Sequence, residues 1–423
     1  MTETVVVLFT RDLRVHDHPA LAEACAGARR VVPLFVLDPA VRPYGRAAFL
    51  AESLADLRRS LRERGGDLVV RRGDTVTETM RLARQVGARA VHVSEDVSAL
   101  ASRRQRRLAE ECERARTAFL AFPGVTIVPP GALRPSGGGD HYRVFTPYWR
   151  VWAEHGRRRL LDAPREVVLP EGLDAGTLPE PGPEGPFPGG ERAARQRMNT
   201  WLRYDAENYA DRRDDLAGDR TSRLSPYLRF GCLSPLELES RRPGDDLVRQ
   251  LCWRDFFHQV TRAFPGITRD DYRPRGHRWR HDEEAARAWR EGRTGVPIVD
   301  AGMRQLLAEG WMHGRARMVT ASFLVRRLGV DWRVGAEHFF SLLLDGDVPD
   351  NYGNWQWVAG TGNDTRPNRV VNPLRQARRF DPAGEYVRRH VPELRAVPDG
   401  AVHRPWRLPG GVEGYPPPLV AME

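Results

Sequence analysis

Three groups of residues in the chain have types and spacings suited to chemistry. Thr221, Ser222, Arg223, Leu224 and Ser225 form a hydroxyl-rich turn ahead of a helical stretch. Hydroxyls and backbone N–H groups at a helix start can cradle a phosphate, and they also make a plain N-cap. Asp345, Gly346, Asp347 and Asn351 follow an apolar helix end at residues 342–344. Carboxylates there are odd for a core and suit either a polar ligand edge or a solvated loop. The 11 tryptophans all lie at or after Trp149. Indole is readily oxidised, so closely spaced indoles can pass an electron, but such rings also fill a helical core. Residue types alone leave each pair of alternatives open.

These groups need a scaffold. In residues 1–130, strand-like runs at 5–9, 31–37, 68–70, 90–93 and 125–128 alternate with helical stretches such as 49–64 and 98–116. Alternation of this kind predicts a doubly wound, Rossmann-like parallel sheet, with ligands beyond the carboxyl ends of its strands. No GxGxxG follows the first strand, so a nicotinamide dinucleotide fingerprint is absent. Residues 170–190 are dense in Pro and Gly and read as an extended connector. From Glu191 to about Leu344 helical signals dominate, including the Ser234-Pro235 start and the amphipathic 299–307. The expected organisation is an α/β domain at 1–130, a linker at 131–190 and an all-α domain at 191–423.

A chain of 423 residues is too long for one hydrophobic core, in agreement with two domains. Cys25, Cys112, Cys232 and Cys252 show no CxxC or CxxH spacing, so neither a metal site nor a disulfide framework is expected. There is no membrane-spanning run and no leader-like N-terminus, which points to the cytoplasm. The net charge of +10 comes entirely from arginine, since lysine is absent. Such an excess of positive charge is the footprint of a polyanion binder.

Six stretches carry a resemblance. They are TRDLRVHD from Thr10, TSRLSPYLRFGCLSP from Thr221, QLCWRDFF from Gln250, WREGRTGVPIVDAGMRQL from Trp289, GWMHGRARMVTASFLVRRL from Gly310 and LDGDVPDNYGNWQWVAGTGND from Leu344. In order and spacing the chain resembles the DNA photolyase/cryptochrome family, most closely the class I cyclobutane pyrimidine dimer photolyases.

The resemblance implies an all-α FAD-binding domain in the second half. Tyr209 and the turn Thr221, Ser222, Arg223, Leu224 and Ser225 would hold the FAD phosphates. Asp345, Gly346 and Asp347 would lie beside the flavin and its ribityl chain, with Asn351 opposite the flavin nitrogen and Arg317 paired with Asp345. Trp355, Trp332 and Trp279 would carry electrons from the surface to the flavin. Trp253 and Trp357 would flank a flipped-out dimer, with Met318 and Gln250 in the same pocket. Arg254 would serve the cofactor and, with Arg315 and Arg369, DNA phosphates. The implied reaction is blue-light-driven electron transfer from reduced FAD to the dimer. The implied frame is a monomer, with a second, antenna chromophore of deazaflavin or folate type, a second flavin, or none.

Two positions depart from the pattern. Dimer-repairing relatives carry Glu where Gln250 stands and Asn where Gly314 stands. Folate-binding relatives carry a Glu that the stretch from Asp96 to Leu100 lacks. The stretch Pro367-Asn368-Arg369 is also shorter and less aromatic than usual. These departures support an alternative, a cryptochrome-like photosensor that binds FAD without efficient repair. A nucleotide binder without photochemistry would leave the line of tryptophans unexplained. The end of the chain soon after Tyr415 favours repair over signalling.

Overall fold

The β-branched run that opens the chain becomes the central strand of a parallel sheet. The computed structural model describes residues 2–41, 44–183, 185–366 and 369–422, without the side chains of Thr2 and Tyr44. Strands β1 (Thr2–Phe9), β2 (Ala28–Leu37), β3 (Val69–Arg72), β4 (Ala90–Ser94) and β5 (Ala118–Phe122) pair in the order β3-β2-β1-β4-β5. Val6 of β1 lies opposite Val32 of β2 on one side and Val91 of β4 on the other, and all three are fully buried. Continuous apolar runs suit strands covered on both faces, as the doubly wound fold requires. The order reverses at β1, so the crevice for a ligand opens at the carboxyl ends of the strands.

Local chemistry starts the covering helices. Asp74 accepts the Thr77 N–H at 2.9 Å to open the Thr75–Gln85 helix, and Ser98 accepts the Ala101 N–H at 3.3 Å to open Ala99–Arg114. The stretch at 125–128 is not the fifth strand; β5 is Ala118–Phe122, paired with β4. Pro123 and Gly124 end β5, and side chains then take the backbone groups that a strand would offer to a neighbour. The N–H groups of Ile127 and Val128 donate to Asp255 at 3.0 and 2.9 Å, and Arg254 donates to the Val125 carbonyl at 2.5 Å.

Two compact units make up the chain, Met1–Tyr204 with Ser222–Pro265, and Asp205–Thr221 with Gly266–Glu423. This division falls at other points than 1–130, 131–190 and 191–423, because helical segments after residue 190 pack with the sheet. The Glu191 carboxylate accepts the N–H groups of Val15 and His16 at 2.9 and 3.1 Å. Fully buried Arg14, in the TRDLRVHD stretch, donates to the carbonyls of Gly124 and Gly231, each at 3.0 Å. The 131–190 stretch contains the Phe145–Glu154 helix, and 170–190 is extended as expected, with Val70 donating to the Ala175 carbonyl at 2.8 Å.

The second unit is helical. Its elements include Pro297–Glu309, Gly314–Ser322, a π-helical turn at Phe323–Arg327, Trp332–Leu342, Val348–Ala359 and Pro373–Phe380. An isolated bridge between Arg280 and Val330 is the strand-like pairing among its described residues. No helix among the described residues is long and apolar enough to cross a membrane.

Candidate functional site

In the helical unit, the end of one helix and the start of the next bring the acidic group together. The Trp332–Leu342 helix stops at Leu343, and the Leu344 N–H donates to the Gly310 carbonyl at 2.7 Å, which pins the loop. Asp345 follows with its side chain 4 % exposed, and Arg317 grips it through two hydrogen bonds of 3.1 and 2.8 Å. Arg317 also donates to the Met312 carbonyl at 2.8 Å, so the planar fork is fixed at both ends. A carboxylate this deeply buried needs such a partner. Asp347, 3 % exposed, is the N-cap residue of Val348–Ala359, and Gly346 between the two acids is buried. One turn on, the Asn351 side-chain nitrogen donates to the Ala336 carbonyl at 2.9 Å, which directs its carbonyl oxygen away from that helix. The loop is therefore a held, buried polar edge and not a solvated one.

The same helices carry the tryptophans. Trp355 is 3 % exposed and meets other rings edge-on, Phe339 at 5.0 Å and Trp289 at 6.0 Å between centroids. Gly335 permits this packing, since a Cβ there would fall 2.2 Å from the Trp355 ring. Trp332 is fully buried, its indole N–H donates to Asp271 at 2.9 Å, and its ring meets Tyr352 at 6.4 Å. Trp279 is half-buried against His277 at 4.9 Å. The Arg280–Val330 bridge brings its segment to the start of the Trp332 helix. Two of the three indoles are thus buried, and Trp279 is partly exposed.

Met318 is half-buried on the Gly314–Ser322 helix and Trp357 is half-buried on Val348–Ala359. Exposed Gly314 opens the first of these helices, and a Cβ there would meet nothing within 4 Å. His313 caps it, accepting the Arg315 N–H at Nδ1 over 3.1 Å. Burial holds this imidazole down to about 4, so it is neutral and able to accept. Arg315 is committed to Asp214 by bonds of 3.1 and 2.6 Å, whereas Arg369 is exposed. Pro367 and Asn368 lie outside the described residues. Tyr209, half-buried, begins the short Tyr209–Arg212 helix, and the Thr221 hydroxyl donates to Asp219 at 2.9 Å.

In the sheet-bearing unit, Ser222 through Ser225 turn through a left-handed Arg223, at φ +50°. Arg197 donates to the Ser222 carbonyl at 2.9 Å. The Ser225–Phe230 helix has Leu224 at its N-cap and takes no side-chain cap bond there. Within the turn the Ser222 hydroxyl accepts the Leu224 N–H at 3.4 Å. On the Asp245–Ala263 helix, Gln250 is exposed and Trp253 half-buried. Phe145 covers one face of Trp253 in a parallel stack, 3.6 Å between centroids and 4° between planes. Arg254 is only 8 % exposed, which suits an internal ligand and not the backbone of a duplex. Asp255 beside it also accepts the Trp152 indole N–H at 3.0 Å, and burial pushes its carboxyl up to about 6. A cavity of about 340 Å³ at the carboxyl ends of β4 and β5 is lined by Asp96, Gln105, Arg106, Phe119 and His258, among others.

Sequence reasoning missed the groups that fix these side chains, namely Phe145, Asp214, Asp271, Ala336 and Phe339. Their residue types carry no signal of the contact. Trp289 was missed as well, although it opens one of the six resembling stretches and its residue type is the signal that could have found it.

Comparison with known proteins agrees with this geometry. Residues 5–168 match the family model described as DNA photolyase, and residues 247–423 match the FAD binding domain of DNA photolyase. A deoxyribodipyrimidine photo-lyase of Streptomyces griseus is 50% identical, over 98% of this chain and 96% of its own. The crystal structure of a bacterial class III photolyase from Agrobacterium tumefaciens superimposes with a TM-score of 0.91 at 32% identity, over 100% of this chain and 95% of its own. An archaeal photolyase from Sulfolobus tokodaii, described with two FAD molecules and the implication of a novel light-harvesting cofactor, gives 0.89 at 32% identity, over 99% and 96%. A parallel sheet followed by a helical unit, the paired Arg317 and Asp345, and identity along almost the whole chain have one explanation: this chain belongs to the DNA photolyase/cryptochrome family.

Proposed function

We propose that the protein is a deoxyribodipyrimidine photolyase, which repairs cyclobutane pyrimidine dimers in DNA with blue light and FAD. The observation that carries this reading is the buried polar edge in the helical unit. Asp345 is gripped by Arg317 and Asn351 is fixed on Ala336, on the helices that also bear Trp355, Trp357 and Met318. This donor set fits a flavin, because it offers carboxylate and amide acceptors to ring and ribityl N–H and O–H groups, with a cation to balance the acid. Arg317, Asp345, Gly346, Asp347 and Asn351 would hold the ring and ribityl chain. Tyr209 and the turn Thr221, Ser222, Arg223, Leu224 and Ser225 would take the phosphates. Bound and reduced, FAD supplies the light-excited electron that splits the cyclobutane ring.

The chain's own residues then have separate tasks. Trp355, Trp332 and Trp279 relay an electron inward from the partly exposed Trp279. Trp253, backed by Phe145, and Trp357 offer indole faces to flattened bases, a mode of binding that tolerates sequence. Met318 contributes an adaptable apolar surface, and Gln250 a hydrogen-bonding amide. Arg254 serves the cofactor side, while Arg315 and Arg369 stand at the DNA side. DNA carrying UV-induced dimers is the substrate, and the enzyme works as a cytoplasmic monomer. An antenna of flavin, deazaflavin or folate type suits the cavity beyond β4 and β5, whose volume lies at the low end for ligand sites.

The test is light-dependent repair of a thymine cyclobutane dimer in a defined oligonucleotide, with reduced protein and a dark control. Thymines restored only in the light are the expected result. Photoreducible flavin without repair would instead favour the photosensor, a reading supported by Gln250 and by the bare Gly314.

A further inference from the structure

Trp332 is held differently from the other two indoles of the relay. Of the three, it is the one whose indole N–H reaches a carboxylate among the described residues, donating to half-buried Asp271 at 2.9 Å. Trp355 has the rings of Phe339 and Trp289 against it, and Trp279 has His277. The middle ring therefore has an acid at hydrogen-bond distance that its neighbours lack. Arg333, the next residue in the helix, bonds to the same Asp271 oxygen at 2.8 Å, and its guanidinium lies 4.5 Å from the centre of the Trp332 ring. A cation in that place, acting alone, would make the indole harder to oxidise. It does not act alone. Arg333 also meets Asp331 at 3.1 and 3.3 Å, and its Nε–H donates to the Arg269 carbonyl at 2.5 Å. Two carboxylates thus answer one guanidinium, which leaves an excess of negative charge beside a fully buried ring.

We propose that Asp271 is a positioning residue that stabilises the oxidised Trp332 indole and so draws the electron vacancy outward from Trp355. One electron passes from Trp332 to Trp355, which has given one to light-excited, oxidised flavin. No bond forms or breaks, and the Nε1 proton stays in its hydrogen bond to Asp271. That bond fixes the orientation of the ring, and the charge of the carboxylate lowers the energy of an electron-poor indole where water is excluded. Trp355, with rings and no carboxylate bonded to its N–H, gains no such help, so the first step outward runs downhill. The inference rests on the electron-relay part of the photolyase reading and adds to it the group that gives the relay its direction.

The experiment uses the full chain loaded with oxidised FAD and follows the oxidised-indole signal by transient absorption after a flash. Asp271→Asn keeps an acceptor for the indole N–H and removes the charge. The yield of separated charge that outlives recombination is expected to fall about tenfold or more, since a unit charge at hydrogen-bond distance is worth at least that factor even when partly screened. Arg333→Gln should change the signal in the opposite direction. With its cation gone Asp271 is unbalanced, and the oxidised Trp332 should live longer than in the wild type. Both variants break the same ion pair, so a merely structural role would move both signals the same way, together with a matching fall in Tm. Wild-type yield and lifetime in Asp271→Asn, or a fall in both variants, overturns the proposal. Should Asp271→Asn fail to hold FAD, the sign of the Arg333→Gln change decides by itself. Photoreduction at the wild-type level in Trp332→Phe overturns the relay reading instead, and that result is distinct from the other two.

Discussion

Trp253 in the sheet-bearing unit and Trp355 in the helical unit are the same residue type in opposite surroundings. Trp253 is half-buried, with one face covered by a parallel Phe145. Trp355 is 3 % exposed and touched edge-on by Phe339 and Trp289. A ring backed on one face can offer the other to a flat ligand. A ring enclosed by edges offers no face, and its use is to be held still in a low-dielectric interior. Under the proposed function, the environment separates a stacking role from an electron-relay role that residue type leaves merged.

The comparison breaks most severely at Trp355. Trp355→Phe should reduce flavin photoreduction to background in transient absorption, while repair by chemically reduced protein survives; unchanged photoreduction would remove this ring from the relay. Trp253→Ala should do the reverse. Removing one ring from under a stacked base costs about 1–3 kcal/mol, or roughly five- to 150-fold in affinity for dimer-containing DNA, with photoreduction intact. Equal loss of both properties in either variant would erase the distinction.

Gly335→Ala tests the enclosure around Trp355 without touching the ring chemically. The new methyl would meet the ring at 2.2 Å, and overpacking of this kind costs about 1–3 kcal/mol. Calorimetry should show a lowered unfolding temperature, and a Tm equal to wild type would mean that Trp355 is free to shift. The smallest effect is expected at the two positions that depart from the family pattern. Gln250→Glu with Gly314→Asn should raise repair yield about two- to tenfold, the worth of roughly one hydrogen bond. Gly314 has open space for the new side chain and Gln250 is exposed, so neither change is blocked sterically. Repair equal to wild type would show that the pocket manages without either group.

Much of this was legible before the fold. The runs at 5–9, 31–37, 68–70 and 90–93 lie within or overlap observed strands, because valine and leucine in series suit a sheet covered on both faces. Ser234 acts as a cap at the expected Ser-Pro start because that chemistry is local. The polar group from Asp345 to Asn351 could be named as a candidate, since carboxylates directly after an apolar helix are conspicuous in any fold.

Local pattern failed where distant side chains decide. Residues 125–128 have the composition of a strand, but Arg254 and Asp255, more than a hundred residues later, take their backbone groups. Arg254 and Arg315 read as contacts to DNA phosphates, Arg254 also to the cofactor; the structure buries the first against Val125 and pairs the second with Asp214. The sequence by itself determined the order of elements, their caps, the excess of arginine and the candidate residues, because these follow from neighbours along the chain. Only the tertiary structure decided which tryptophans present a face and which arginines have partners. Those properties depend on residues far apart in the chain meeting in space, and no period or propensity records them.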